Sequence, residues 1–246
     1  MQNINCNIVH LGHSSFLVET KNNILIFDYF NDIPVLPERS IKNGVLSLED
    51  FKTDKDIFVF VTHSHSDHYN PVIFQWENAN PNIKYVLGSD VKEEVEEDRF
   101  YYMNPYETLQ IKDVNIKTYG STDKGVSFLV DVDSLDIFHA GDLNWWHWKE
   151  FTEQELKREE EDFKREVDNI IGNNIDVAFI PVDPRLEEFY HLAGVYFAEK
   201  VKPKFLVPMH FRDNFYVCKD FVEQLKDSSV KVVELTHVGQ RIGFSK

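Results

Sequence analysis

The chain has two cysteines in 246 residues, Cys6 and Cys218, near its opposite ends. That is too few for a disulfide framework, so two free thiols are predicted. Positive charge is also scarce: 26 Lys and Arg stand against 42 Asp and Glu, a formal net charge of −16. Such a field repels nucleic acid and anionic membrane surfaces, and no Lys/Arg cluster is dense enough to overcome it. Neither is expected as a partner. No run approaches the roughly 18 apolar residues of a membrane span, and Met1-Gln2-Asn3-Ile4-Asn5-Cys6 lacks a basic segment followed by an apolar core. A soluble cytoplasmic protein is the expectation. From Tyr69 to Ile137 there is neither His nor Cys.

The histidines that are present are bunched. Three of the ten fall between His63 and His68, in Thr62-His63-Ser64-His65-Ser66-Asp67-His68-Tyr69-Asn70-Pro71, directly after the apolar run Ile57-Phe58-Val59-Phe60-Val61. The run is short, β-branched and aromatic, which reads as a strand buried on both faces. If the segment stays extended, His63, His65 and Asp67 point one way and His68 the other. Neutral imidazole and carboxylate at this spacing are ligands for zinc, iron or manganese. Asp142, behind Gly141 at the end of the strand-like Ile137-Phe138-His139-Ala140, and His210, after Phe205-Leu206-Val207-Pro208-Met209, are further candidates.

The His-x-His-x-Asp-His pattern after an apolar strand resembles the signature of the metallo-β-lactamase superfamily, and Gly12-His13-Ser14-Ser15-Phe16 resembles the start of its lactonase-like branch. The resemblance implies an α/β fold, a four-layer αβ/βα sandwich of two mixed β-sheets, formed here by a single domain over residues 1–246. It implies one or two divalent ions (Zn, Mn or Fe) held by His63, His65, Asp67, His68, Asp142 and His210, with Asp142 bridging. Asp67 would also be the catalytic group, orienting or deprotonating the attacking water. Asp28, at the end of Ile24-Leu25-Ile26-Phe27, would brace the histidine loop, and His13 would lie behind the ligands. The implied function is a metal-dependent hydrolase attacking an ester, lactone or phosphodiester of a small molecule with a metal-activated hydroxide. The alternative is a metal-binding protein of the same fold whose catalysis is lost. One departure motivates that alternative: the usual middle ligand histidine is missing, leaving water, Ser121 or Asp123 to fill its place.

Other stretches carry structure. Residues 31–56 read as a long loop, Pro71 to Trp76 as a helix start, and Ser89 to Asp98 as an acidic, solvated helix. Strands are predicted at Tyr85-Val86-Leu87, Val114–Tyr119, Val126–Val130 and Val177–Val182, with a closing strand at Lys231–Leu235. Thr152 to Ile171 reads as a helix with a Thr152/Glu155 capping box and an apolar face of Leu156, Phe163, Val167, Ile170 and Ile171. Trp145, Trp146 and Trp148 either plug the core or wall a pocket. Arg185 and Arg212, each just past a strand end, are candidates to receive a substrate carboxylate or phosphate.

Overall fold

The computed structural model describes residues 5–91 and 98–246. They fall into two compact units, Met1–Asn104 with His237–Lys246, and Pro105–Thr236.

In the first unit β1 (Cys6–Gly12), β2 (Ser15–Glu19), β3 (Asn23–Phe27), β4 (Asp56–Val61), β5 (Lys84–Gly88) and β6 (Phe100–Met103) lie side by side in chain order. The pairs β1/β2 and β2/β3 are antiparallel, while β3/β4, β4/β5 and β5/β6 are parallel. Parallel neighbours end at the same edge, so the residues leaving β3 and β4 emerge together. Asp28 N donates to Phe60 O at 2.9 Å, continuing the ladder to the last residue before the polar loop. All of Ile57–Val61 is buried, as expected of a strand covered on both faces. Gly88 closes β5 against this loop: a Cβ there would lie 2.3 Å from the carbonyl oxygen of Thr62.

The loop between β3 and β4 carries only two short 3-10 turns, Ile41–Asn43 and Leu48–Phe51. It is anchored by Tyr29, whose hydroxyl donates to Asp32 at 2.6 Å and accepts from Leu46 N at 3.1 Å. Trp76 packs on Phe51 and edge-on to Tyr29 beneath it. The helix predicted from Pro71 is 3-10 rather than α, over Pro71–Asn78, with the Asn70 side chain accepting from Val72 N. The acidic helix expected from Ser89 to Asp98 lies mostly on residues 92–97, outside the described residues; Ser89 and Asp90 form a turn.

The second unit holds β7 (Thr108–Ile111), β8 (Val114–Tyr119), β9 (Ser127–Val132), β10 (Leu135–His139), α1 (Glu153–Asp168), β11 (Val177–Pro181), α2 (Leu192–Lys200), β12 (Phe205–Met209), α3 (Tyr216–Gln224) and β13 (Lys231–Val232). Its sheet runs β7 to β13 in order, antiparallel as far as β10 and parallel beyond. The Thr152/Glu155 capping box starts α1 as predicted. The helix ends three residues early, and Ile171 is 46% exposed rather than on the apolar face. The closing strand is likewise corrected: β13 is only two residues long, and a last strand, β14 (Arg241–Phe244), pairs antiparallel with β1 in the first unit's sheet.

With β14 in place the two sheets share one plan, four antiparallel strands continued by three parallel ones. These are the two mixed sheets expected of the fold. Among the described residues no helix is long and apolar enough to cross a membrane. Cys6 and Cys218 are buried thiols, as predicted.

Candidate metal centre

In the first unit the chemistry is organised by one carboxylate. Asp28 is fully buried. Its Oδ1 accepts from Thr62 N, and its Oδ2 from Thr62 Oγ1 and His68 Nδ1, each at 2.7 Å. A hydroxyl has one proton, and Thr62 gives it to Asp28. The 2.9 Å contact between Thr62 Oγ1 and His63 Nδ1 is therefore a bond donated by the imidazole. One buried carboxylate thus sets the tautomer of two histidines: Nδ1 is protonated in both, and Nε2 carries the lone pair a metal needs.

The loop does not stay extended. His65 O accepts from both His68 N and Tyr69 N at 3.0 Å, closing a tight turn. This overturns the expected alternation: the His63 and His68 rings are 4.2 Å apart, and those of His63 and His65 4.5 Å. Asp67, 27% exposed, lies with Oδ2 3.5 Å from His13 Nε2. His13, Asp67 and His68 bring one ligand atom each to within 4.8 Å of one another. Asp90 steadies the outer side of the loop, accepting from Ser64 N and Oγ at 3.0 and 2.8 Å.

In the second unit β10 ends at buried His139, whose Nδ1 accepts from Gly141 N at 3.2 Å. Gly141 has φ 56°, and the turn it makes presents Asp142, 4% exposed. Thr122 Oγ1 bonds the Asn144 carbonyl and amide at 2.6 and 2.9 Å and fixes the chain beyond. Asp123 is exposed, yet its carboxylate is within 4.8 Å of that of Asp142; Ser121 Oγ accepts from Asp123 N.

His210, 2% exposed, stands between two acids. Its Nδ1 is 3.1 Å from Asp183 Oδ2 and its Nε2 3.1 Å from Asp142 Oδ1. Asp183 leaves β11, and Arg185 clasps it: Nε lies 3.0 and 2.9 Å from the two oxygens, Nη2 2.5 Å from Oδ2. Burial, the largest single influence on Asp183, pushes its carboxyl up, but the bonds and charges of His210 and Arg185 together hold it down at about 2. The Arg185 guanidinium lies over Trp148 and Trp146, which stack on each other, and Trp146 meets the His210 ring edge-on at 5.8 Å. Trp145 turns away to pack on Phe163 and Tyr196. Arg212 is exposed, two residues beyond His210.

His13 (φ 50°), Asp28 (φ 45°) and His210 (φ 65°) all sit in the left-handed region that favours glycine. Each such residue is strained by on the order of 1 kcal/mol, and strain of this kind gathers where side-chain direction matters. The donors suit a divalent ion, being imidazole nitrogen and carboxylate oxygen throughout. The 3.1 Å between His210 Nε2 and Asp142 Oδ1 is close to the separation of two ligands bonded at about 2.0–2.1 Å around a tetrahedral ion.

The family model described as "Beta-lactamase superfamily domain" matches residues 7–210. The chain belongs to this superfamily. Metal-dependent hydrolases from Pyrococcus furiosus and Pyrococcus horikoshii are 26% identical over 215 residues and 28% identical over 212, covering 83% and 82% of this chain and 84% and 82% of theirs. Igni18, a metallo hydrolase from Ignicoccus hospitalis, shares the fold with a TM-score of 0.66 and 15% identity, over 98% of this chain and 99% of that one. These matches bear out the expectation of a metallo-β-lactamase superfamily hydrolase, a family that implies divalent metal ions.

Within that superfamily reading, Asp183, His139, Thr62 and Thr122 are the residues that the sequence did not single out. Asp183 carried a signal that was available, a carboxylate leaving a buried strand just as Asp28 does. The other three act on neighbours through hydrogen bonds that no motif announces.

Proposed function

We propose that the protein cleaves an ester, lactone or phosphodiester bond of a small molecule, with His63, His65, Asp67, His68, Asp142 and His210 as ligands of one or two divalent ions drawn from zinc, manganese and iron. The observation that carries this reading is His210, a buried imidazole with a carboxylate 3.1 Å from each nitrogen. Asp183 accepts a hydrogen bond from Nδ1–H, so in the neutral imidazole the lone pair on Nε2 would face the negative oxygen of Asp142. A cation shared by Nε2 and Asp142 turns that repulsion into coordination.

The bound ion would supply Lewis acidity and lower the pKa of water towards roughly 7. Asp67, the ligand-loop carboxylate with the greatest access to solvent, would orient that water and take its proton, with His13 steadying Asp67. His68, Asp67, Asp142 and His210 make the fuller ligand set. The other, His63 and His65 with Asp142, lacks a histidine, and the nearness of the Asp123 carboxylate to Asp142 supports Asp123 in that place over Ser121. Arg185 is committed to Asp183, which favours a positioning role for it, and Arg212, exposed two residues beyond His210, stays a candidate to receive a substrate anion. The charge of −16 supports a small-molecule substrate over nucleic acid, and a cytoplasmic setting suits the chain's two thiols.

The test is a screen of ester, lactone and phosphodiester libraries after reconstitution with Zn, Mn and Fe. Turnover that a chelator abolishes and Asp67→Ala lacks is expected. Turnover indifferent to chelator would overturn the reading, and bound metal without turnover on any class would favour the binding protein.

A further inference from the structure

Two side chains on the segment leaving Asp142 stand out. Asn144 is 1% exposed and Trp146 7%, yet among the described residues neither Asn144 Nδ2 nor Trp146 Nε1 has a hydrogen-bond acceptor. A buried donor left unmet costs about 1–3 kcal/mol. Native proteins carry few of these, yet Asn144, Trp145 and Trp146 in succession each have one. The Trp145 ring packs on Phe163 and Tyr196, and Asn144 and Trp146 are the two that call for an occupant here.

The orientation of each is fixed. Trp145 N donates to Asn144 Oδ1 at 2.9 Å, so the amide cannot be turned over without losing that bond, and Nδ2 is the group left to donate. Trp146 is held by three neighbours, the stacked Trp148 ring, the Arg185 guanidinium and the His210 ring set edge-on. An indole N–H and an amide NH2 donate and do not accept. A cation is therefore excluded, and the group they suit is an oxygen acceptor.

We propose that Asn144 Nδ2 and Trp146 Nε1 form a donor pair that binds the oxygens of one anionic substrate group, a carboxylate or a phosphoryl group. This rests on the hydrolase reading and names the part of the substrate that stays beside Asp142 and His210. Arg185, 5.9 Å from the Trp146 ring, adds positive charge to the wall while its own bonds go to Asp183.

The chain has four tryptophans, so [15N]indole-labelled protein gives four indole signals, and Trp146→Phe identifies one of them. Inorganic phosphate and acetate are titrated in separate arms, with and without added zinc, and metal content is measured on the same samples. A saturable shift of the Trp146 signal in either arm is expected, the responding arm naming the group. Asn144→Asp keeps the acceptor for Trp145 N and removes the donor, and should weaken binding at least about tenfold. Trp146→Phe keeps the ring and loses the N–H; by calorimetry the same anion should bind roughly three- to tenfold more weakly. A signal unmoved in both arms, which ordered water alone would give, overturns the pair. So does unaltered affinity in both variants. A shift in protein that holds no metal leaves the donor pair standing while the hydrolase reading falls; metal held without a shift does the reverse.

Discussion

In the first unit Asp28 leaves β3 and meets His68 on the loop after β4; in the second, Asp183 leaves β11 and meets His210 after β12. The sheets have the same plan, and in that plan β3 matches β10 and β4 matches β11. The second brace therefore stands one strand further from the antiparallel half. What the device needs is a pair of parallel neighbours, which bring a carboxylate and an imidazole to one edge, and any such pair will serve. The braces differ in their partners. Asp28 is fully buried and held by Thr62 and His68, Asp183 by an arginine whose side chain is 45% exposed.

That contrast predicts a larger penalty on the interior side. Asp28→Ala leaves Thr62 N, Thr62 Oγ1 and His68 Nδ1 facing a hole and should destabilise the fold by about 3–5 kcal/mol in urea titration. A loss below about 1 kcal/mol would mean water replaces the carboxylate.

The first unit should also be the one that loses stability between pH 6.5 and 4. His10 is buried, and burial, outweighing the backbone acceptors of His237 and His13, lowers its pKa from 6.5 to about 4. Between those values the unfolded chain binds a proton that the folded one refuses. Stability is therefore intact above pH 6.5 and falls as the pH drops towards 4, by about 3 kcal/mol in all. Urea midpoints measured across that window should show the loss, and His10→Gln should flatten it.

On the second side, Arg185→Met should cost about 1–2 kcal/mol, because solvent can partly replace the cation, and Arg185→Lys should recover some of it. A penalty equal to that of Asp28→Ala would erase the distinction between the braces. The smallest effect is at the α1 cap: Thr152→Ala should cost about 1 kcal/mol in thermal unfolding and leave metal content unchanged.

The strands with dense apolar runs were legible in the sequence, as were the α1 capping box and the His63–His68 cluster, because each is written in neighbouring residues. β6, β7 and α3 were missed. Phe100–Met103 and Thr108–Ile111 are four-residue strands with mixed exposure, and the buried face of α3 is only Val217, Cys218 and Phe221. β14 was hidden for a different reason: its partner β1 lies at the other end of the chain. The site followed the same rule. Three histidines in six positions announce themselves, whereas Asp183 and His210 are 27 residues apart and become a pair only once β11 and β12 lie side by side. The turn at His65 was illegible too, since the alternation rule assumes an extended backbone that the bonds to His65 O abolish.

The most direct test of the centre is elemental analysis of purified protein after graded chelator treatment, on wild type, His210→Ala and His63→Ala. If the proposed ligands Asp67, His68, Asp142 and His210 share one divalent ion, that ion should be retained after a second has been stripped. That ion should be lost in His210→Ala and kept in His63→Ala. Two ions leaving the wild type together, or a tight ion that survives His210→Ala, would contradict the assignment.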